Sequence, residues 1–247
     1  MTKCTSWLLP LVALMMSGCE IGDAVFNAER IRGSGRVIQE KRDVHGFSEV
    51  RLSGVGDLSI QQGSQESLTV EADDNILPRI RTEVEGTTLV IGLEPRVSVS
   101  PTAGIRYQLT VRELSGLTVS GSGEIQSSSL RSQDLKVHVS GSGKIRLSDL
   151  TASTLAAEIS GSGTVEMSGK VDSQRIQISG SGDYDCGQLQ SDTAEVTVSG
   201  SGDSRVWAEK SLSIHVSGSG DVEYYGNPQI SRRVSGSGGL KRLGDRP

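Results

Sequence analysis

Along most of the chain, apolar residues alternate with polar residues at a period of two. The tetrapeptide Ser-Gly-Ser-Gly marks each repeat of this pattern, and its copies begin at Ser120, Ser140, Ser160, Ser179, Ser199, Ser217 and Ser235. The residue before each copy is Val or Ile, and most residues five and seven places after its first serine are apolar. Alternation of this kind in β-branched residues predicts strands with one buried face.

The spacing of the repeats predicts how these strands are arranged. Self-similarity at roughly 18 to 20 residues is typical of a solenoid, in which each repeat buries its apolar face against the next. A unit of this length suits one coil of a β-helix and is too short for a propeller blade. Leucine-rich repeats have a similar length, but their fixed leucine and asparagine positions are absent here. The predicted fold is therefore all-β, a parallel β-helix with coils of about 20 residues.

The glycines of each tetrapeptide fall on the inward parity of the alternation, and the serines fall on the outward parity. The inner side of a bend has no room for a Cβ atom, and glycine also adopts the positive φ angles that a sharp corner needs. The predicted corner glycines are Gly121, Gly123, Gly141, Gly143, Gly161, Gly163, Gly180, Gly182, Gly200, Gly202, Gly218 and Gly220.

The N-terminal half carries less regular versions of the same unit, in Arg30–Ile38 and Val50–Ile60. Asp73–Pro78 is rich in turn-forming residues and predicts a turn or short excursion, and Glu94–Gly104 predicts a loop. No break in composition indicates a second domain. The predicted organisation is a signal peptide (1–18), an anchor linker (19–32), a β-solenoid (33–240) and a C-terminal tail (241–247).

The first residues resemble a bacterial lipoprotein signal. Lys3 precedes the apolar run Trp7–Met16, which is much shorter than the ~20 residues of a membrane-spanning helix. The stretch Met16–Cys19 resembles a lipobox, which predicts cleavage before Cys19 and lipid attachment to its thiol. Glu20 in the next position favours the outer membrane, and an ordinary signal peptide with a chance cysteine is the alternative. Cleavage and acylation leave Cys186 alone, so no intramolecular disulfide is predicted.

Composition and motifs argue against several function classes. The chain has 25 Lys and Arg against 30 Asp and Glu, which disfavours nucleic acid as a partner. Gly141–Ile145 resembles the tail of a phosphate-binding loop, but the first glycine and the final Ser or Thr of that motif are missing, and no dinucleotide fingerprint is present. We therefore expect no nucleotide and no cofactor. Aromatic residues make up 3% of the chain, so the core must consist of Val, Ile and Leu.

An acidic stripe is the one weak candidate site. The residue after the tetrapeptide is aspartate in three successive copies, at Asp183, Asp203 and Asp221. The spacing resembles a calcium-binding β-roll, but the second glycine-rich turn of that site is absent, and a solvated stripe without metal is expected. With Asp185 and Glu223, these carboxylates could also provide an acid and a base for glycoside cleavage.

Other candidate residues have simpler structural interpretations. His138 and His215 occupy outward positions four coils apart, roughly 19 Å at strand spacing, which is too far to share a metal. Cys186 lies in an inward column and is expected to be a small buried apolar residue. No residue receives a catalytic or metal-binding assignment.

Two N-terminal stretches and the tetrapeptide ladder resemble a known family. "FSEVRLSGVGDLSIQQG", "LTVEADDNILPRIRTEVEGTTLVI" and the repeats that follow are similar to the DUF2807 family of putative autotransporter adhesin head (GIN) domains, from about Asp43 to Gly226. The resemblance implies a right-handed β-helix on secreted or lipid-anchored envelope proteins. It brings no known catalytic or ligand residues.

Together, these observations predict a lipid-anchored β-solenoid of the bacterial outer membrane that acts as a non-enzymatic binding, adhesion or structural module. The expected partners are the membrane, through the lipid anchor, and glycans or proteins of the envelope or of a host. The alternative is a carbohydrate-active enzyme, a glycosidase or lyase on a β-helix scaffold, that uses Asp183, Asp203 and Asp221.

Overall fold

The computed structural model describes residues 29–246. The predicted signal peptide, the predicted lipid-attachment residue Cys19 and most of the predicted linker lie outside the described residues. Between residues 29 and 246 no helix has the length and apolar character needed to cross a membrane.

The described chain is almost entirely β-structure, with one short 3-10 helix at Leu77–Arg79. The strands in chain order are β1 (Glu29–Arg32), β2 (Val37–Arg42), β3 (Glu49–Gly54), β4 (Asp57–Gln62), β5 (Ser67–Asp73), β6 (Ile80–Glu85), β7 (Thr88–Leu93), β8 (Val97–Ser100), β9 (Arg106–Val111), β10 (Gly116–Gly121), β11 (Glu124–Ser127), β12 (Leu130–Gly141), β13 (Lys144–Gly161), β14 (Thr164–Gly180), β15 (Asp183–Gly200), β16 (Ser204–Gly218), β17 (Val222–Tyr225), β18 (Gln229–Gly236) and β19 (Leu240–Gly244).

From β10 to β19 the strands stack as parallel coils, which confirms the predicted β-solenoid. Each tetrapeptide lies directly on the next one: Gly141 pairs with Gly161, and Gly161 pairs with Gly180. Coils of unequal length keep this register because bulges absorb the difference. One such shift lies between Leu147 and Leu150, where β13 pairs with β14.

The core consists of aliphatic columns that run along the stack. Residues before the tetrapeptides, such as Val119 and Ile159, are 0% exposed, and the columns beyond the corner, which include Ile145, are equally buried. Two large polar side chains also enter this core. The Tyr184 hydroxyl donates to Gln174 Oε1 at 2.9 Å, and Gln174 Nε2 donates to Ser191 Oγ at 2.9 Å. These bonds offset the cost of burying the polar groups.

The N-terminal half adds coils in an order that differs from the chain order. The predicted repeat Val50–Ile60 is a coil, since Gly54 pairs with Gly121 in register. On its other face lie β7 and β9, which run parallel to β3 and β4. The antiparallel strands β6 and β5 then pair with β7 and β9 and cover this end of the stack.

The prediction that Arg30–Ile38 forms another coil is wrong. β1 pairs with β8 in a separate two-stranded sheet, and β2 runs antiparallel to β5. The intervening Gly-Ser-Gly stretch does not stack on another corner because side chains of the Asp73–Asn75 turn bind it instead. The predicted loop Glu94–Gly104 contains strand β8, and the last coil continues past residue 240 through β19.

The two glycines of each corner are required for different reasons. The second glycine is buried, and a Cβ atom on Gly163 would lie 2.3 Å from Val139 Cγ1. The first glycine is only partly shielded from solvent, but Gly161 has a φ of +128°, and a Cβ atom there would lie 2.7 Å from the carbonyl oxygen of Gly141. The inward space restriction therefore applies to the second glycine, whereas the first is fixed by its backbone angle and by the neighbouring coil.

We expect Gly161→Val to lower the free energy of unfolding by about 3–5 kcal/mol, because strain at positive φ adds to a clash with backbone that cannot move aside. In a chain of this size the loss corresponds to a fall of roughly 10 °C in Tm, measured by circular dichroism. Ser162→Val, in the same corner but exposed, is the matched control and should change stability by less than ~0.5 kcal/mol. Equal stability of the two variants would contradict this account of the corner.

Candidate functional site

The acidic stripe forms a ladder of hydrogen bonds between coils. Asp183 Oδ1 accepts from the backbone N–H of Asp203 at 3.3 Å, and Asp203 Oδ1 accepts from the N–H of Asp221 at 2.8 Å. Asp221 Oδ1 in turn accepts from the N–H of Gly239 at 2.7 Å. Each carboxylate therefore caps the backbone at the corner of the following coil.

Where the preceding coil carries no aspartate at this position, the backbone N–H is satisfied in another way. The N–H of Lys144 donates to the carbonyl oxygen of Gly123 at 3.0 Å, and that of Thr164 donates to Gly143 at 3.0 Å. The N–H of Asp183 still donates to the Gly163 carbonyl at 3.0 Å, but in the three coils that follow an aspartate the carboxylate takes the place of this carbonyl. The N–H of Tyr184 bonds forward to the Asp203 carbonyl at 2.9 Å. The three aspartates thus support an alternative corner conformation.

A second outward column beside the stripe carries charges that are paired between coils. Arg205 lies between Asp185 and Glu223, with N–O distances of 3.0 and 2.9 Å, and Lys241 lies 3.1 Å from the other oxygen of Glu223. Hydrogen bonds from Arg205 and then from Lys241 hold the pKa of Glu223 below its usual value. Glu223 is therefore ionised at neutral pH and is poorly suited to donate a proton.

The same column continues on earlier coils. Glu166 accepts a hydrogen bond from Lys144 and one from Arg146 Nε at 3.0 Å, while Arg146 Nη1 lies 2.8 Å from Glu124 Oε1. The hydrogen bond from Lys144 is the main reason that the pKa of Glu166 is lowered. These ion pairs between coils stabilise the stack, although exposure keeps each pair weak. The column does not alternate throughout, since Glu166 and Asp185 are like-charged neighbours in register.

Stripe and column together line a shallow open groove. The groove has a volume of about 390 Å³, and its walls are formed by Asp183, Asp185, Asp203, Arg205, Asp221 and Glu223, with Tyr184 and Ser204 at its base. Its carboxylates bind backbone N–H groups or basic side chains. Within residues 29–246, no group of three or more His, Cys, Asp or Glu side chains is arranged to hold a metal ion.

The remaining sequence candidates lie apart from the groove. His138 Nδ1 lies 3.4 Å from Glu158 Oε2. His215 pairs in register with Thr197 on the preceding coil and with Arg233 on the following coil. Cys186 is fully buried, and this burial raises the pKa of its thiol. A protonated, inaccessible thiol has a packing role.

Asp73 is an important residue that the sequence pattern did not single out. Its side chain is 0% exposed. Oδ1 accepts from the Gly35 N–H at 2.8 Å and from the Thr102 hydroxyl at 2.6 Å, and Oδ2 accepts from the Thr102 N–H at 2.9 Å. One carboxylate therefore joins the N-terminal segment, the end of β5 and the loop after β8. The sequence signals are an aspartate that closes the apolar alternation of β5 and the predicted turn Asp73–Pro78 that begins with it, and neither indicates its partners.

The pKa of Asp73 is lowered, chiefly by the Thr102 hydroxyl and then by the Thr102 N–H, against the opposing effect of burial. The neighbouring residues complete the attachment. Asn75 Oδ1 accepts from the Ser34 N–H at 3.0 Å, and Asn75 Nδ2 donates to the Arg32 carbonyl at 2.8 Å. We call Asp73, Asp74 and Asn75 the N-terminal clamp.

Comparison with known proteins agrees with the observed fold. A family model described as "Putative auto-transporter adhesin, head GIN domain" matches residues 46–228. A putative adhesin from Bacteroides fragilis superposes with a TM-score of 0.81 at 24% identity, over 86% of this chain and 100% of that chain. A structure from Parabacteroides distasonis described as a putative lipid binding protein superposes with a TM-score of 0.72 at 25% identity, over 87% of this chain and 100% of that chain. None of the curated proteins matches the sequence.

For the aspartate ladder, we expect Asp203→Ala to lower the free energy of unfolding by about 1 kcal/mol, because the Asp221 N–H loses its acceptor. Asp203→Asn keeps an oxygen acceptor and should recover at least half of this loss. Asp172→Ala, which removes an equally charged exposed side chain from β14, should have an effect below ~0.5 kcal/mol. Chemical denaturation measures all three variants, and equal effects of Asp203→Ala and Asp172→Ala would contradict the ladder.

For the N-terminal clamp, we expect Asp73→Ala to lower Tm by roughly 5–10 °C, because three donors lose their acceptor. Since the folded-state pKa of Asp73 lies below its ordinary value of 3.8, its contribution is complete above that pH and is lost as the pH falls through the lowered pKa. The Tm difference between wild type and variant should therefore shrink below pH 3.8. Asp57→Ala, which removes an exposed carboxylate from β4, is the control and should have little effect on Tm at any of these pH values. A difference between wild type and Asp73→Ala that grows in acid would contradict the prediction.

Proposed function

We infer the function from the family to which the chain belongs, DUF2807, which is described as "Putative auto-transporter adhesin, head GIN domain". The proposed function is that of a lipid-anchored cell-envelope protein whose β-solenoid acts as a binding or adhesion module without enzymatic activity. The module presents a rigid wall of outward side chains, in columns that repeat at the ~4.8 Å spacing of the coils.

The pairing of the groove carboxylates carries this proposal. An acid–base mechanism for glycoside cleavage needs one carboxyl that holds a proton and a second that is ionised. Glu223 is kept ionised by Arg205 and Lys241, and Asp203 accepts a backbone N–H of the next coil. Groups that are fixed in this way suit the display of a constant surface better than the transfer of protons.

The comparisons support a binding role in general terms. The matching family and the similar structure from Bacteroides fragilis are described as putative adhesins, and the similar structure from Parabacteroides distasonis is described as a putative lipid binding protein. For this chain we propose that the module binds glycans or proteins of the envelope or of a host, while its anchor binds the membrane.

The proposed anchor rests on the first residues of the chain. The lipobox-like stretch Met16–Cys19 provides the thiol for lipid attachment, and Glu20 favours delivery to the outer membrane. Strand β1 begins at Glu29, so roughly ten residues would separate it from the lipid on Cys19. A chain of that length spans at most ~35 Å when fully extended. The solenoid would then stand close to the membrane surface.

We expect Cys19→Ser to move the protein from the membrane fraction to the soluble fraction and to abolish incorporation of radiolabelled palmitate, because the serine oxygen does not take the place of the thiol in lipid attachment. Cys4→Ser, which changes a cysteine inside the predicted signal peptide, is the control and should leave both readouts unchanged.

Cys19→Ser protein that stayed in the membrane fraction would contradict the anchor. Hydrolysis of a polysaccharide by the purified wild-type protein, lost in Asp203→Asn, would contradict the non-enzymatic role and favour the carbohydrate-active alternative.

A further inference from the structure

The last coil has an open edge. Strand β18 pairs with β16 on one side, and among residues 29–246 no strand pairs with its other side. All eight residues of β18 are exposed. An edge strand of this kind presents a row of unpaired N–H and C=O groups that can pair with another extended chain. The opposite end of the stack is covered by β5 and β6.

Two apolar side chains extend the core columns onto this edge. Ile230 pairs with Leu212 and Val234 pairs with Val216. Leu212 and Val216 are buried, whereas Ile230 is 41% exposed and Val234 is 38% exposed. A further strand laid against β18 would cover both side chains and continue the core by one layer.

The edge also carries an unusual concentration of positive charge. Residues 229–246 contain five basic residues and one acidic residue in a chain whose formal net charge is −5. Both basic residues on β19 have partners, since Lys241 pairs with Glu223 and Arg242 pairs with Asp245. Arg232 and Arg233 on β18 form no ion pair with any carboxylate among the described residues.

The positions of these residues define a complementary sequence. Ile230, Arg232 and Val234 share one parity of the strand, and Arg233 lies on the other. A strand added in register would place apolar side chains over Ile230 and Val234. Two consecutive acidic residues in the added strand would lie beside Arg232 and Arg233. Their carboxylates would then point to opposite faces of the sheet, as the two arginines do.

We propose that β18 is a docking edge for an extended segment of a partner protein that carries two adjacent acidic residues flanked by β-branched residues, bound by strand addition. Backbone hydrogen bonds supply affinity in this mode, and side chains on alternating faces supply selectivity. This inference deepens the proposed binding role and rests on it, but it is independent of the lipid anchor.

Charge and geometry favour this occupant over two others. A second copy of the chain that paired through β18 would bring its own Arg232 and Arg233 against the same pair, and like charges on neighbouring strands repel. An anionic membrane surface matches the charge, but its hydrocarbon and headgroup region offers no backbone groups to pair with the strand edge.

The test is fluorescence anisotropy of the full chain with a labelled eight-residue probe peptide of the order Thr-Val-Ser-Glu-Glu-Val-Thr-Gly. Two comparison peptides have either both Glu replaced by Lys or alternate backbone nitrogens methylated. We expect both changes to weaken binding at least tenfold, because the first removes the charge pairing and the second removes the strand hydrogen bonds.

Protein variants locate the site. Arg232→Glu/Arg233→Glu should weaken binding of the probe at least tenfold and allow the Lys-containing peptide to bind in its place. Arg51→Glu/Arg131→Glu, a pair of exposed arginines on earlier coils, is the charge-matched control and should bind within about twofold of wild type. Circular dichroism of both variants verifies that the fold is unchanged.

Several outcomes would overturn the proposal. Equal binding of the methylated peptide would show that charge alone acts, and an unchanged affinity of the Arg232→Glu/Arg233→Glu variant would place the peptide elsewhere. A concentration-dependent dimer that dissociates in that variant would assign the edge to a second copy. Tight binding to phosphatidylglycerol vesicles, with no binding of the probe, would assign it to a lipid surface. None of these results would alter the outcome of the Cys19→Ser fractionation.

Discussion

The close approach of one coil to the next at the glycine corners is the constraint on which the rest of the structure depends. The N–H of Ser162 donates to the Gly141 carbonyl at 2.9 Å, and this contact leaves no space for a side chain on Gly161. Because every corner is held at the same depth, the strands on either side are held in register. Register then places each aliphatic residue on another aliphatic residue, so a chain with very few aromatic residues still forms a continuous core.

The same register also determines the chemistry of the outer wall. Side chains at equivalent positions lie one strand spacing apart, and their charges either pair or repel. Many of them pair, as Arg205 does with Asp185 and Glu223, whereas Glu166 and Asp185 are like-charged neighbours. The aspartates that follow the tetrapeptide are a special case, because they bind the backbone of the next coil and not a basic side chain. A row of carboxylates that looks like a cation site in the sequence is therefore part of the scaffold.

How far the sequence predicts this structure depends on the range of the interactions involved. Strand parity, buried columns and parallel stacking follow from local alternation and from a repeat that is visible in the letters, and all three are confirmed. The N-terminal clamp was not predicted, since Asp73 joins segments far apart in the sequence and nothing local marks Thr102 as its partner. Arg30–Ile38 was misread because its Gly-Ser-Gly stretch imitates a corner, although the clamp holds it in a different place. The aspartate ladder depends on a corner geometry that spacing alone does not specify.

The bulges that absorb differences in coil length bear on how such a chain can evolve. Since β13 and β14 tolerate a shift between Leu147 and Leu150 while their corners stay aligned, a single-residue insertion or deletion far from a corner need not propagate to neighbouring layers. Duplication of a whole layer would likewise lengthen the rod by ~4.8 Å and leave both ends chemically unchanged. The length of the solenoid is thus a quantity that mutation can adjust in small, nearly independent steps.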